Sequence, residues 1–228
     1  MNVQLEFSKY ADHYGSYNLI QQRVVEKLLA DLREEPRKIL DLGCGNGALY
    51  RALTWTPEYF VGVDFAPGML ELHPKAESIE CIYGDFNDPT LFEHLQHLSF
   101  DRIFSASALQ WSEDLEALFS HIASLHTPLS LAIFTGNTFK TLFETAGLTP
   151  LLRSSEEVSA LAKRHFNARV EVVRYELAFD STRDMFRYIK RSGVSGNRNL
   201  LSYKETKRLM HEYPLDCLEF EVIFIHSR

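Results

Sequence analysis

The sequence predicts an α/β domain, a mostly parallel sheet with helices on both faces. Three observations carry that expectation. Short apolar runs alternate with helical patterns along the first 135 residues, the rhythm of strand–helix–strand units with right-handed crossovers. One run, Ile39-Leu40-Asp41-Leu42, leads directly into Gly43-Cys44-Gly45-Asn46-Gly47, a glycine turn between a buried strand and a helix. The strand ends at 41, 64 and 85 each carry an aspartate, so acids collect at one sheet edge, where open α/β sheets bind nucleotides.

Each element has its own signal. Residues 37–42, 59–64, 79–83, 100–105 and 129–135 read as strands, being β-branched or aromatic runs bounded by turn residues. Residues 18–34, 47–53, 67–73, 89–97 and 113–125 read as helices, and Glu113 and Asp114 suit the positive end of the last one. In the final third, 158–166 reads as a helix and 169–179 and 218–226 as long strands. The 38 residues between those strands, 180–217, are far more than a hairpin needs. If 169–179 runs parallel to the sheet, this insert overhangs the acid-bearing edge. A first helix feeding the first strand begins near the same edge, so residues 7–21 should lie there too. The expected organisation is a single domain, 1–228, with an N-terminal cover over 1–21 and a lid insert over about 180–213.

Composition narrows the function classes. The net charge of −7 argues against general nucleic-acid binding. Residues 183–208 hold eight basic residues and two acidic ones, a local +6 that leaves −13 elsewhere. This segment is either a solvated helical face or a docking patch for an anionic partner. No run of about 18 apolar residues suggests a membrane span, and the first residues lack a secretory pattern. Cys44, Cys81 and Cys217, odd in number and far apart, suit a reduced, cytoplasmic chain. The nine histidines form no metal-type cluster, so no metal is expected.

The glycine turn departs from the nicotinamide fingerprint G-x-G-x-x-G, because the third glycine comes one residue early and an acid precedes the loop. An acid there suits a ligand bearing an ammonium group, and S-adenosylmethionine carries one. Asp64, at the end of the second strand, can accept both ribose hydroxyls. Asp85, in Tyr83-Gly84-Asp85-Phe86, can accept from an adenine amino group while Phe86 stacks on the ring.

With those residues in register, the chain resembles the class I S-adenosylmethionine-dependent methyltransferases. The resemblance places Asp41, Gly43 and Gly45 in the first motif, Asp64 at the ribose and Asp85 at the adenine. It implies a Rossmann-like, seven-stranded sheet whose last strand is antiparallel, with Phe65, Met69, Phe86, Ser105 and Leu109 as further cofactor-binding positions. A narrower similarity is to the malonyl-acyl-carrier-protein O-methyltransferases of biotin (pimeloyl) synthesis. It rests on Phe7-Ser8, Ala11, Tyr14 and Gln21, on 106–115 (Ala-Ser-Ala-Leu-Gln-Trp-Ser-Glu-Asp-Leu), and on Tyr188-Ile189-Lys190-Arg191-Ser192-Gly193. The usual Pro-Gly-Gly turn before the fifth strand is replaced by His126-Thr127-Pro128-Leu129-Ser130.

The resemblance implies an acyl carrier protein as partner and a carboxylate as methyl acceptor. A carboxylate is already ionised at pH 7, so no general base is needed. An anionic acceptor needs cations, and Arg187 and Arg191 share a helical face four residues apart. Arg187, Arg191 and Tyr14 are therefore the candidate acceptor-handling residues, and Gln21 a candidate for the cofactor's carboxylate. Trp111 suits either a transfer pocket or a core. Two other readings stay open: methylation of a free small carboxylic acid or other metabolite, and a non-catalytic module that binds S-adenosylmethionine to regulate a partner.

Overall fold

The computed structural model describes residues 18–192 and 203–228. Its centre is a seven-stranded sheet in the order β3-β2-β1-β4-β5-β7-β6. The strands are β1 (Lys38–Leu42), β2 (Tyr59–Asp64), β3 (Ile79–Tyr83), β4 (Arg102–Ala106), β5 (Leu129–Phe134), β6 (Ala168–Ala178) and β7 (Cys217–Ser227). The first five are mutually parallel. From β1 the chain first winds outward to β2 and β3, then returns to β4 on the other side. That reversal puts a crevice at the end of β1, where ligands bind in such sheets.

β1, β2 and β5 are buried almost throughout, as strands covered on both faces must be. Alternate residues supply two cores. Leu40, Leu42, Val61, Val63 and Ile103 face helices α4 (Pro89–Leu95), α5 (Leu115–Ser124) and α7 (Ser155–His165) through Phe92, Phe119 and Leu161. Ile39, Phe60 and Phe104 face α1 (Leu19–Ala30) through Ile20, Val24 and Leu28. Helix starts follow their capping chemistry. The Asp88 carboxylate accepts from Thr90 N–H at 2.9 Å, Asp114 from Ala117 N–H at 3.0 Å and the Ser154 hydroxyl from Glu157 N–H at 3.1 Å. The first helix stops at Ala30, four residues short of the expected end, because the charged run to Glu35 leads into Pro36.

β7 is antiparallel to both β5 and β6, so β6 runs with the first five strands. Ala178, its last residue, pairs with Cys217, the first of β7. Both ends of the long insert therefore sit at the edge where β1 and β2 end. In the described part of the insert, α8 (Thr182–Ser192) and α9 (Tyr203–Glu212) bury Met185, Tyr188 and Leu209 and expose Arg183, Arg187, Lys207 and Arg208. Three further short helices are α2 (Ala48–Ala52), α3 (Pro67–Leu72) and α6 (Lys140–Ala146). The sequence reading left α6 out. Its marker is Gly147, left-handed at φ 65°, which closes the helix. Among the described residues no helix is long and apolar enough to cross a membrane.

Beside the end of β5, Glu221 of β7 is 1% exposed yet bonded on all sides. Its carboxylate accepts from the Thr135 hydroxyl at 2.8 Å, the Asn137 amide at 3.0 and 3.1 Å, and the Arg174 guanidinium at 3.0 Å. Burial opposes its ionisation, but these donors outweigh burial and hold the carboxyl below its ordinary range. A depressed carboxyl stabilises the fold above its unfolded pKa and loses that contribution as pH falls through the folded one. Glu221→Gln should therefore cost about 1–3 kcal/mol at pH 7. The deficit relative to the parent should shrink below about pH 4.5, where the parent carboxyl also protonates in the unfolded chain. Urea denaturation of both proteins at pH 7 and pH 4 measures it, and an unchanged difference between the two would contradict this account.

Candidate active site

The glycine turn is built by β2. The amides of Gly43 and Cys44 both donate to the Val63 carbonyl, at 2.8 and 3.0 Å. Two of its glycines are required for different reasons. Gly43 has φ +75°, and a Cβ there would stand 2.2 Å from the Cβ of Ala108, in the turn after β4. Gly45 has φ +53° and open space where a side chain would be, so its backbone borders a space that a ligand can enter.

Asp64 locks this turn. One carboxylate oxygen accepts from Gly45 N–H and the other from Ala66 N–H, each at 2.8 Å. Burial pushes the Asp64 carboxyl up and those amides pull it back down, leaving it raised. Asp41 lies across the turn, 2% exposed, and its Oδ1 has no hydrogen-bond partner among the described residues. Burial first, and the Asp64 charge second, push its carboxyl up to about 8. An unpaired carboxyl in such a place is costly until a cation or donor completes it. These acceptors fit the ammonium-bearing end of S-adenosylmethionine at Asp41, with Asp64 at the end of β2 beside the turn for ribose.

The other predicted positions divide into those the fold brings to this turn and those it uses underneath. Phe86 reaches it, with a ring carbon 3.9 Å from where a Gly43 Cβ would stand. Asp85 is exposed beside it, one oxygen accepting from the Asn87 backbone and side chain at 2.9 and 2.8 Å. Phe65 follows Asp64 and is half-buried. Gln21 lies in the first turn of α1, its Oε1 buried without a partner among the described residues. Ser105, Leu109 and Met69 form the platform. The Ser105 hydroxyl is fully buried and donates to the Leu42 carbonyl at 2.6 Å, tying β4 to β1. Leu109 packs wholly inside the core because a 3₁₀ turn, Leu109–Trp111, points it inward. Met69 is 2% exposed in α3. Trp111 is half-buried.

Arg187 is exposed on α8, paired with Asp184. Both border a groove of about 390 Å3 floored by Leu19, Leu177, Phe179 and Tyr188. Tyr14 and the side chain of Arg191 lie outside the described residues. Two residues with no sequence signal join the edge. Asn18, before α1, is 7% exposed with an unpaired Oδ1 among the described residues. Ser107, the first residue after β4, holds φ 66°, a backbone cost of about 1–3 kcal/mol for a non-glycine residue. A serine between two alanines gives no hint of that in sequence.

The state of Asp41 has a measurable consequence. Its raised carboxyl penalises the ligand-free fold as pH rises from about 4 towards 8, because the unfolded chain ionises first. A cationic ligand reverses this by stabilising the charged form. At pH 7, S-adenosylhomocysteine, which keeps the ammonium, should therefore release up to one proton on binding. Asp41→Asn should abolish the release and weaken binding about 10- to 100-fold, the scale of a buried hydrogen bond to charge. Calorimetry in buffers of different ionisation enthalpy reads both, and equal proton release by parent and variant would remove Asp41 from the site.

Comparisons with known proteins agree with this geometry. A "Methyltransferase domain" family model matches residues 39–128, from β1 through the turn before β5. A malonyl-acyl-carrier-protein O-methyltransferase of Porphyromonas gingivalis is 30% identical over 83% of this chain and 76% of its own length. One from Methylovorus is 29% identical over 84% and 72%. Among solved structures, a putative methyltransferase from Bacillus halodurans superposes with a TM-score of 0.63 over 89% of this chain and 96% of its own, at 11% identity. A Haloferax volcanii putative methyltransferase, solved in complex with the Trm112 methyltransferase activator, gives 0.58 over 98% of both chains at 15%. At such identities the two structures speak for the fold alone. With the glycine turn, the two acids and these relatives in agreement, the chain belongs to the malonyl-acyl-carrier-protein O-methyltransferase family of class I S-adenosylmethionine-dependent methyltransferases.

Proposed function

We propose that this protein methylates the free carboxylate of malonyl carried on an acyl carrier protein, forming the methyl ester that enters biotin synthesis. The observation that supports it most is the position of the basic helices. α8 follows β6 and α9 leads into β7 at the sheet edge that also carries the Asp41 and Gly45 turn, and the two helices expose Arg183, Arg187, Lys207 and Arg208. Acyl carrier proteins are acidic, so a cationic rim at the mouth of a methyl-transfer site steers them to it.

S-adenosylmethionine supplies a methyl group on a sulfonium, already activated for in-line displacement. The chain's part is binding, orientation and exclusion of water. Asp41 holds the cofactor's ammonium, Asp64 its ribose, and Asp85 with Phe86 its adenine. Gln21 meets its carboxylate. The acceptor oxygen needs no proton removed, in keeping with a site whose neighbouring acids are buried. Arg187, Arg191 and Tyr14 handle the acceptor, with residues 1–21 and 180–213 as covers. The small groove beside Arg187 favours a second reading, a free small carboxylic acid as acceptor.

Incubation with labelled S-adenosylmethionine and malonyl-carrier protein, malonyl-coenzyme A or malonate separates the two. The expected product is a methyl ester formed at least tenfold faster on the carrier-borne substrate, with a rate that falls as salt screens the basic rim. Arg187→Glu combined with Lys207→Glu should lower kcat/KM for malonyl-carrier protein about tenfold or more and leave S-adenosylhomocysteine affinity within twofold. Equal rates on free malonate would favour the second reading, and transfer to none of the three would sink both.

A further inference from the structure

Three non-glycine residues among those described have positive φ: Ser107, His126 and Phe139. His126 sits before β5, at the opposite edge of the sheet, and Phe139 buries its ring at the start of α6. Ser107 alone stands at the end of β4 beside the cofactor turn. It is held in this conformation from both sides. Its N–H donates to the Ala132 carbonyl at 2.9 Å, and its own carbonyl accepts from the Gln110 amide at 2.7 Å. The next residue, Ala108, fills the space above Gly43. With its backbone groups engaged, one polar group of Ser107 is left. Its hydroxyl oxygen is buried and has no hydrogen-bond partner among the described residues.

Strand order says what this hydroxyl is near. From β3 through β2 to β1 the strand ends carry Asp85, Asp64 and Asp41, the positions proposed above for adenine, ribose and ammonium in turn. The next strand is β4, so its end lies beyond the ammonium subsite, towards the acceptor. Asp41 already supplies an anionic partner for a cation. Among neighbouring hydroxyl and amide groups, Ser105 is bonded to Leu42 and Gln110 to Ser107 itself, which leaves the Ser107 hydroxyl as a buried donor without a partner among the described residues.

We propose that Ser107 contacts the methyl acceptor, its hydroxyl donating a hydrogen bond to the carboxylate oxygen that does not attack. One oxygen is thereby held while the other is left to form the new bond to the methyl carbon. The left-handed backbone is the means of aiming the hydroxyl, and the Ala132 and Gln110 bonds keep it there. This inference rests on a carboxylate acceptor but does not depend on which one.

Three variants test it, each assayed with whichever carboxylate the parent esterifies. Ser107→Ala should lower kcat/KM for the acceptor about 10- to 100-fold, the range of a hydrogen bond to a charged group, mainly through KM. Its affinity for S-adenosylhomocysteine should stay within twofold of the parent. Ser107→Gly, which removes the hydroxyl and relieves the strain, should raise Tm and show the same KM defect. Ser107→Asn tolerates the left-handed conformation and restores a donor, so it should recover at least a third of the logarithmic loss. Wild-type kinetics in Ser107→Ala, or equal losses of acceptor and S-adenosylhomocysteine binding, would overturn the assignment. A parent that methylates a non-carboxylate acceptor would instead overturn the carboxylate reading.

Discussion

Two peptide N–H groups from separate segments, Gly45 in the first turn and Ala66 before α3, converge on the one carboxylate of Asp64 at 2.8 Å each. This pair of hydrogen bonds between loop and strand end is what the rest of the site depends on. It clamps the glycine turn against β2, so the turn cannot swing out to solvate Asp41. Asp41 is then left buried, with its Oδ1 lacking a partner among the described residues. A carboxyl raised to about 8 by burial is a candidate site for positive charge. The same clamp leaves Gly45 facing open space while Ala108 closes on Gly43, so one side of the turn is packed and the other receptive.

The second half of the sheet serves a different purpose. Reversing β7 lets β6 run parallel to the core strands and brings both ends of a long insert to the receptive edge. The buried Glu221 network fastens the segment after β5 to β6 and β7 at that edge. Charge separation follows from this topology. The chain as a whole is acidic, yet α8 and α9, the described parts of its most basic stretch, adjoin β6 and β7 at the edge that carries Asp41 and Asp64. On the proposed reading, cofactor and acceptor are met by opposite charge, the ammonium by Asp41 and a carboxylate by the basic helices.

Strand order also sorts the site into a line. Asp85, Asp64 and Asp41 occupy consecutive strand ends, and the turn after β4 comes next with Ser107. Position across the sheet, more than closeness in sequence, sets the order of these residues along the edge. Ser105 and Leu109 show the contrast. They lie in the same stretch as Ser107 but are consumed in bonding and packing, and so support the turn from below.

The α/β class, the strand runs, the glycine turn and the three acids were legible in sequence, because each depends on local chemistry: apolar periodicity, turn-forming glycines and strand-end position. Residues 140–146 escaped because that helix is short and half-buried, so packing decides it. Burial is a property of the whole assembly. Nothing in the sequence says that Asp41 loses its solvent and its partners while Asp64 gains two amides, that Ser105 spends its hydroxyl on Leu42, or that Ser107 is bent into a left-handed turn with its hydroxyl unspent. Sequence determined which groups could do chemistry and at which edge they would meet. Tertiary structure alone decided which of them were satisfied and which remained available, since hydrogen-bond partners and desolvation come from segments far apart along the chain.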